Sequence, residues 1–281
     1  MEFITELSDG RPQLRKKEAI VHLRDHTLPS TQETYSGIME DLDRMIRDVC
    51  PGINTGSLSN AHGDWYEWML AIEAWNLYAQ NSRSHLALLL PNISRYDLAD
   101  LYDQELRGLI LDLRDKVQSS SEVKLISSNP DFVILSRPLV ERVLGEIEPI
   151  DRLSIENLDM LDSVFQKFTG ECGFEELIGY ISVKSSLRPD RRLQISHEGS
   201  LMKAIYVHLQ TRKWIINPPG LTYFAVSTRI GKPDRKALKT VATHSITTVS
   251  SIPQPAVDEV FEVNSVPQAQ EALHQMLVPG E

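Results

Sequence analysis

Cysteine is nearly absent from this 281-residue chain: Cys50 and Cys172 are the only two, far apart and in no CxxC pair. That excludes a disulfide-stapled scaffold and a cysteine-based zinc site, and it suits a reducing cytoplasm. No apolar run approaches the roughly 20 residues needed to cross a bilayer. The longest, Leu86 to Leu90, is strand-sized, so no membrane partner is expected. Met1 to Gly10 carries acids and no apolar signal core, so no secretion signal is expected. His62, His85, His197, His208 and His244 show no zinc-ligand spacing. There is no glycine-rich phosphate loop, and no Gly-x-Ser-x-Gly turn that would make Ser245 beside His244 a triad serine.

Positive charge is also scarce. Lys and Arg number 29 against 39 Asp and Glu, a net charge of −10, which alone argues against nucleic-acid binding. The distribution argues the other way. Lys184, Arg188, Arg191, Arg192, Lys203, Arg212 and Lys213 face only Asp190 and Glu198 across that segment. An acidic shell with one basic stripe fits a protein that meets DNA at one face; a solvated helix face fits the charge equally well.

Apolar spacing gives a coarse map. Helices are expected over Arg11–His26, Glu33–Cys50, Asp64–Gln80, Tyr96–Ser119, Pro138–Glu146, Ser154–Phe168, Arg192–Arg212, Gln254–Phe261 and Gln268–Leu277. Asn54–Gly63, rich in Gly, Ser and Asn, reads as a loop. Strands are expected over His85–Leu90, Val123–Ser127, Phe132–Leu135, Leu177–Lys184, Leu221–Ser227 and Leu238–His244. Helices alternating with short buried strands indicate an α/β fold with a mixed central β-sheet flanked by helices. With no internal repeat or long linker, residues 1–281 read as one domain. Residues 1–60 form a helical N-terminal elaboration and 61–281 the core. The Trp214-Ile215-Ile216 cluster, just before the turn Asn217-Pro218-Pro219-Gly220, is either a surface interface patch or a buried strand start.

Several residues could carry chemistry. Asn129-Pro130-Asp131 opens a strand and leaves Asp131 at the mouth of the sheet, although Asp after Pro is usually only a turn. Period-two geometry puts Ser182 and Lys184 on one face at the end of the strand from Leu177. Glu198 follows on the next helix. An Asp and a Glu converging on one Lys would make an oxygen-ligand site for Mg²⁺, an ion that takes carboxylates, phosphate and water. Between lysine and glutamate lies Arg188-Pro189-Asp190-Arg191-Arg192. Arg can bond guanine O6 and N7, and Asp can accept from cytosine N4, so this run could read adjacent G·C pairs. Alternatively Asp190 merely caps a helix and the arginines are solvated.

Taken together, Ser182-Val183-Lys184, Arg188-Pro189-Asp190-Arg191 and His197-Glu198-Gly199 resemble the signature of CCGG-recognising type II restriction endonucleases of the PD-(D/E)xK superfamily. Gly63-Asp64-Trp65-Tyr66-Glu67-Trp68 and Ser128-Asn129-Pro130-Asp131 resemble the purine-CCGG-pyrimidine cutters in particular. So do Glu198-Gly199-Ser200-Leu201-Met202-Lys203, Leu209-Gln210-Thr211-Arg212, the run Lys239 to Ile246, and Ala256-Val257-Asp258-Glu259. The resemblance runs from about Asn60 onward and is weak over the first 55 residues.

The resemblance implies a catalytic group of Asp131, Lys184 and Glu198, with Glu67 as a supporting carboxylate and metal held by Asp131, Glu198 and Glu67. Ser182 stands where the superfamily has an acid two residues before the lysine, and Glu198 would supply the missing carboxylate. Arg188, Asp190, Arg191 and Arg192 would contact DNA, with Arg192 on phosphate or solvent. The expected reaction is Mg²⁺-dependent hydrolysis of double-stranded DNA at a palindrome with a CCGG core, R^CCGGY, leaving 5′ phosphates. A two-fold palindrome calls for a homodimer or homotetramer. A host enzyme of this kind also needs a DNA methyltransferase to protect its own genome. Two alternatives stay open on the residues alone: a repair or branch nuclease that reads shape, and a non-catalytic DNA-binding regulator.

Overall fold

The computed structural model describes residues 3–7, 10–91, 96–121, 125, 129–246 and 253–280. The chain opens with a two-stranded antiparallel ribbon, β1 (Ile4–Glu6) and β2 (Pro12–Leu14), then α1 (Lys16–Leu23), α2 (Tyr35–Val49) and the long α3 (Thr55–Gln80). β3 (Leu86–Leu89), α4 (Gln104–Ser121), β4 (Phe132–Leu135), α5 (Arg137–Leu144) and α6 (Ile155–Ser163) follow. Next come β5 (Leu177–Lys184), α7 (Pro189–Arg212), β6 (Thr222–Ser227), α8 (Lys232–Leu238), β7 (Glu259–Glu262) and α9 (Val266–Leu277).

Five strands form one sheet in the order β3-β4-β5-β6-β7. The first two pairings are antiparallel and the last two parallel, the mixed sheet expected from the sequence. α7 crosses from β5 to the parallel β6, as two parallel neighbours require. Buried side chains from Phe3 to Leu277 make one continuous core cluster. Leu70 of α3 and Ala269 and Leu273 of α9 pack over Ile181 and Val183. Ile110 of α4 and Met202 and Ile205 of α7 pack with Tyr180 on the opposite face. The alternation of β5 thus commits Tyr180, Ser182 and Lys184 to the α7 side.

Several expectations fail for identifiable reasons. Residues 54–63 are helix, not loop: Asn54 caps α3 by accepting from Gly56 N at 2.6 Å, and Leu58 and Ala61 continue the buried face of Trp65. Packing overrides the poor helix propensity of Gly and Ser. The first helix is shorter than Arg11–His26, because residues 12–14 pair with β1 and Asp25 and His26 take positive φ. The N-terminal elaboration is therefore not wholly helical. Tyr96–Ser119 breaks into a 3₁₀ turn at Leu98–Leu101, capped by Asp97, and α4, whose Leu106 N is held by Asp103. Leu238–His244 is not a strand; α8 ends at Leu238 and Thr243–Ile246 is a 3₁₀ turn. Gln254–Phe261 is not a helix. Asp258 is tied to Tyr223 and Lys203, and β7 begins at Glu259. The strand expected over Val123–Ser127 lies outside the described residues apart from Leu125.

Candidate active site and DNA cleft

Antiparallel pairing brings the start of β4 beside the end of β5. Phe132 pairs with Ile181, so Asp131, one residue earlier, falls beside Ser182 and Val183. Asp131 Oδ2 accepts from Val183 N at 2.6 Å and from Ser182 Oγ at 3.3 Å. Lys184 Nζ donates to both Asp131 oxygens, at 3.0 and 2.8 Å. The carboxylate is only 6% exposed, and each donor offsets part of the cost of burying it. Burial works against the charge on Lys184. The field of Asp131 and its hydrogen bond, then Glu198 and Glu67, outweigh it and hold the lysine above its ordinary pKa. Lys184 is thus a fixed cation here, suited to hold a phosphate oxygen or a water rather than to remove a proton.

Glu67 enters from α3. Burial, then the Asp131 charge, push its carboxyl up to about 9, and Lys184 offsets only part of that. An acid held neutral by burial and a neighbouring anion is one that a divalent cation would ionise. Glu198, only 1% exposed, stands on α7. Its Oε1 accepts from Gln194 Nε2 at 2.9 Å and its Oε2 from Tyr223 Oη at 3.0 Å. Among the described residues no three His, Cys, Asp or Glu side chains form a ready-made cage. The structure therefore joins Asp131, Ser182 and Lys184 directly, and sets Glu67 and Glu198 around them without closing a ring. All-oxygen donors with room for water and a phosphate fit Mg²⁺, which rarely takes an all-protein cage.

Glu67, Asp131 and Lys184 open into a cleft of about 980 Å³ that Lys16, Asp162, Arg188, Asp190, Arg191 and Gln194 also line; Glu198 lies buried behind Gln194. Arg188 is the N-terminal cap position of α7, yet Asp190 caps nothing; it lies 3.5 Å from Arg188 and both remain about two-thirds exposed. Arg192 does not join them. It is absent from the cleft lining, bonds Asp234 at 2.8 Å and ties α7 to α8. Nor is the basic stripe continuous: Lys203 is buried against Asp258, and Arg212 and Lys213 pair with Asp112 and Glu105. Of the seven, only Lys184 at the end of β5 and Arg188 and Arg191 at the start of α7 line the cleft. The sequence reading missed Gln194 and Tyr223. Gln194 sits one turn before Glu198, a spacing that could have flagged it; Tyr223 carries no local signal.

Residues 5–278 match the model of the Cfr10I/Bse634I restriction endonuclease family. The chain belongs to that family. It is 38% identical to the type II restriction enzyme Cfr10I of Citrobacter freundii, over 99% of each chain. The crystal structure of the type IIF restriction endonuclease Bse634I with cognate DNA superposes with a TM-score of 0.87 and 31% identity. That match covers 98% of this chain and 97% of the other. A second Bse634I structure gives a TM-score of 0.86, also at 31% identity, covering 97% and 96%. As a member of this family the protein is a type II restriction endonuclease that cuts DNA at a specific palindromic site, and its fold is the family's. No described helix is long and apolar enough to cross a membrane.

Proposed function

We propose that the protein hydrolyses double-stranded DNA at R^CCGGY with Mg²⁺, leaving 5′ phosphates, as one restriction-endonuclease domain over residues 1–281. The observation that carries this reading is a single cleft. At its floor Asp131 and Lys184 pair at 2.8 Å, and on its wall Arg188, Asp190 and Arg191 project from the first turn of α7. A shape-reading repair nuclease has no use for that reader, and a non-catalytic regulator has no use for that floor.

Asp131, Glu198 and Glu67 would hold the ion. Bound there, Mg²⁺ would lower the pKa of a water and neutralise charge building on the phosphate. Lys184 places a positive charge against a non-bridging phosphate oxygen and aligns the attacking water. Ser182 and Val183 N keep Asp131 oriented through Oδ2, and among the described residues Oδ1 has Lys184 as its one donor. Arg188 and Arg191 seat the guanines, with Asp190 on a cytosine, so the scissile phosphate reaches the floor only when the core pairs correctly. A two-fold palindrome needs two such sites related by symmetry, so a homodimer or homotetramer is the working form. A cytoplasmic enzyme with this specificity also requires a companion DNA methyltransferase.

Digestion of a plasmid with and without Mg²⁺ tests the reading, followed by sequencing of the ends. Discrete Mg²⁺-dependent fragments with 5′ phosphates at R^CCGGY are expected. A smear or branch-only cutting would give the repair-nuclease reading, and intact plasmid the regulator.

A further inference from the structure

In the superfamily pattern an acid two residues before the lysine is fixed by its own strand. Here that position is Ser182, and the carboxylate comes from Glu198 on a helix, where strand pairing cannot place it. Something else must fix it to a fraction of an ångström if it is to bind a metal.

We propose that Tyr223 is the positioning residue that replaces the strand, a role that rests on the assignment of Glu198 as a metal ligand. Tyr223 stands on β6 beside Tyr180 of β5, and Ala225 stands beside Ser182. The tyrosine therefore shares the α7 side of the sheet with Ser182 and Lys184. It is fully buried, and its phenol donates to Glu198 Oε2 at 3.0 Å. On that same side of the sheet one hydroxyl holds each acid: Tyr223 donates to Glu198, and Ser182, at the missing acid's position, donates to Asp131.

The tyrosine is itself anchored. Its backbone N donates to Asp258 Oδ2 at 2.7 Å, and Asp258 N donates to Tyr223 O at 2.8 Å. Asp258 Oδ1 accepts from Lys203 Nζ at 2.7 Å, and that same ammonium donates to Pro255 O at 2.7 Å. Lys203 lies on α7, five residues beyond Glu198 and 2% exposed, so helix and tyrosine share one pin. Gly199 lets the two approach: a Cβ there would lie 2.2 Å from Ala256 O. The anchor leaves each Glu198 oxygen with one protein donor and a free lone pair for a cation.

The test uses the full protein on an RCCGGY duplex, with Ca²⁺ affinity read by calorimetry and Mg²⁺ dependence read by cleavage. Ca²⁺ takes the same kind of oxygen ligands. Tyr223→Phe keeps the ring and removes only the hydroxyl. Ca²⁺ affinity should fall roughly 10- to 100-fold and the half-saturating Mg²⁺ should rise in step, as for other groups that orient metal ligands. DNA affinity without metal should not change, and the melting temperature should fall only by the cost of one hydrogen bond to a buried carboxylate, leaving the protein folded. Unchanged Ca²⁺ affinity in Tyr223→Phe, with affinity lost in Glu198→Ala, would overturn the role of Tyr223 alone. Retained Ca²⁺ affinity and cleavage in Glu198→Ala would remove Glu198 from the site, and this proposal with it.

Discussion

Lys184 and Asp131 lie 53 residues apart in sequence, yet their side chains meet at 2.8 Å. The antiparallel register of β4 and β5 brings them together, and the backbone N of Val183 fixes the carboxylate from the same strand. The pair is buried, so it makes sense only if each charge has a partner, and each has the other. Asp131→Ala or Glu198→Ala should lower cleavage in Mg²⁺ by ~10²–10³-fold or more, the scale of losing one preorganised charge-stabilising group. Specific DNA binding should stay largely intact, and metal-free binding could tighten, because an anion has been removed next to phosphate. Single-turnover cleavage with parallel gel shifts measures both; a near wild-type rate in either variant refutes the site.

Glu67 gives the site a pH signature. Its acid is pushed up to about 9 in the metal-free fold, against an ordinary value of 4.5. Between those values the folded protein holds a proton that the unfolded chain releases. Its contribution to stability is therefore full below pH 4.5 and declines as pH rises toward 9. The metal-free melting temperature should fall across that window in wild type and flatten in Glu67→Gln. A cation that takes Glu67 as a ligand must expel the proton, so metal affinity should rise with pH over the same range. Calorimetry near pH 7.5 in two buffers of different ionisation enthalpy counts that proton. About one per metal is expected for wild type and about none for Glu67→Gln. No proton release in wild type would place Glu67 outside the metal site.

Where one pattern dominated, the sequence was legible. The apolar run Leu177–Lys184 has the boundaries of β5, and the Ser182–Lys184 spacing put both side chains on one face, where both contact Asp131. What long-range contacts decide was not legible. Asn54–Gly63 looks like loop until Leu58 and Ala61 find the core, and Arg192 looks like a phosphate or solvent contact until Asp234, 42 residues on, pairs with it. The approach of Glu198 to the floor depends on Tyr223 and Asp258, and nothing within a few residues of either announces that partnership.

Trp214 occupies an unusual position. It follows the C-terminus of α7 in the left-handed region, φ 54°, where glycine is the usual residue, and it is 89% exposed. Ile216, two residues on, is 87% exposed, while Ile215 between them packs partly against the core; Trp214 and Ile216 are thus a surface patch and no strand starts here. Backbone strain and an exposed indole together are costly unless another surface covers them. Trp214→Ala should lower the mass measured by light scattering while leaving the melting temperature nearly unchanged. An unchanged mass would remove the patch from the assembly.

Sequence reading should reside in the first turn of α7. Arg188 and Arg191 are unclaimed by the core and line the cleft with Asp190, whereas Arg192 is committed to Asp234. Each bidentate Arg–guanine contact is worth ~1–3 kcal/mol of discrimination. Arg188→Ala or Arg191→Ala should therefore cost roughly ten- to a hundredfold in affinity for a CCGG duplex. Affinity for a scrambled duplex should fall much less, since phosphate contacts supply most of it. Arg192→Ala is the contrast. It should lower thermal stability by loosening α7 from α8, and it should affect both duplexes alike. The same geometry makes cleavage sensitive to methylation of the core cytosines, because a methyl group would crowd the groove edge where Asp190 accepts from N4. Competition gel shifts and cleavage of methylated duplexes read these outcomes directly. Equal weakening on both duplexes for Arg188→Ala and Arg191→Ala would make these arginines phosphate contacts and leave the CCGG assignment without a reader.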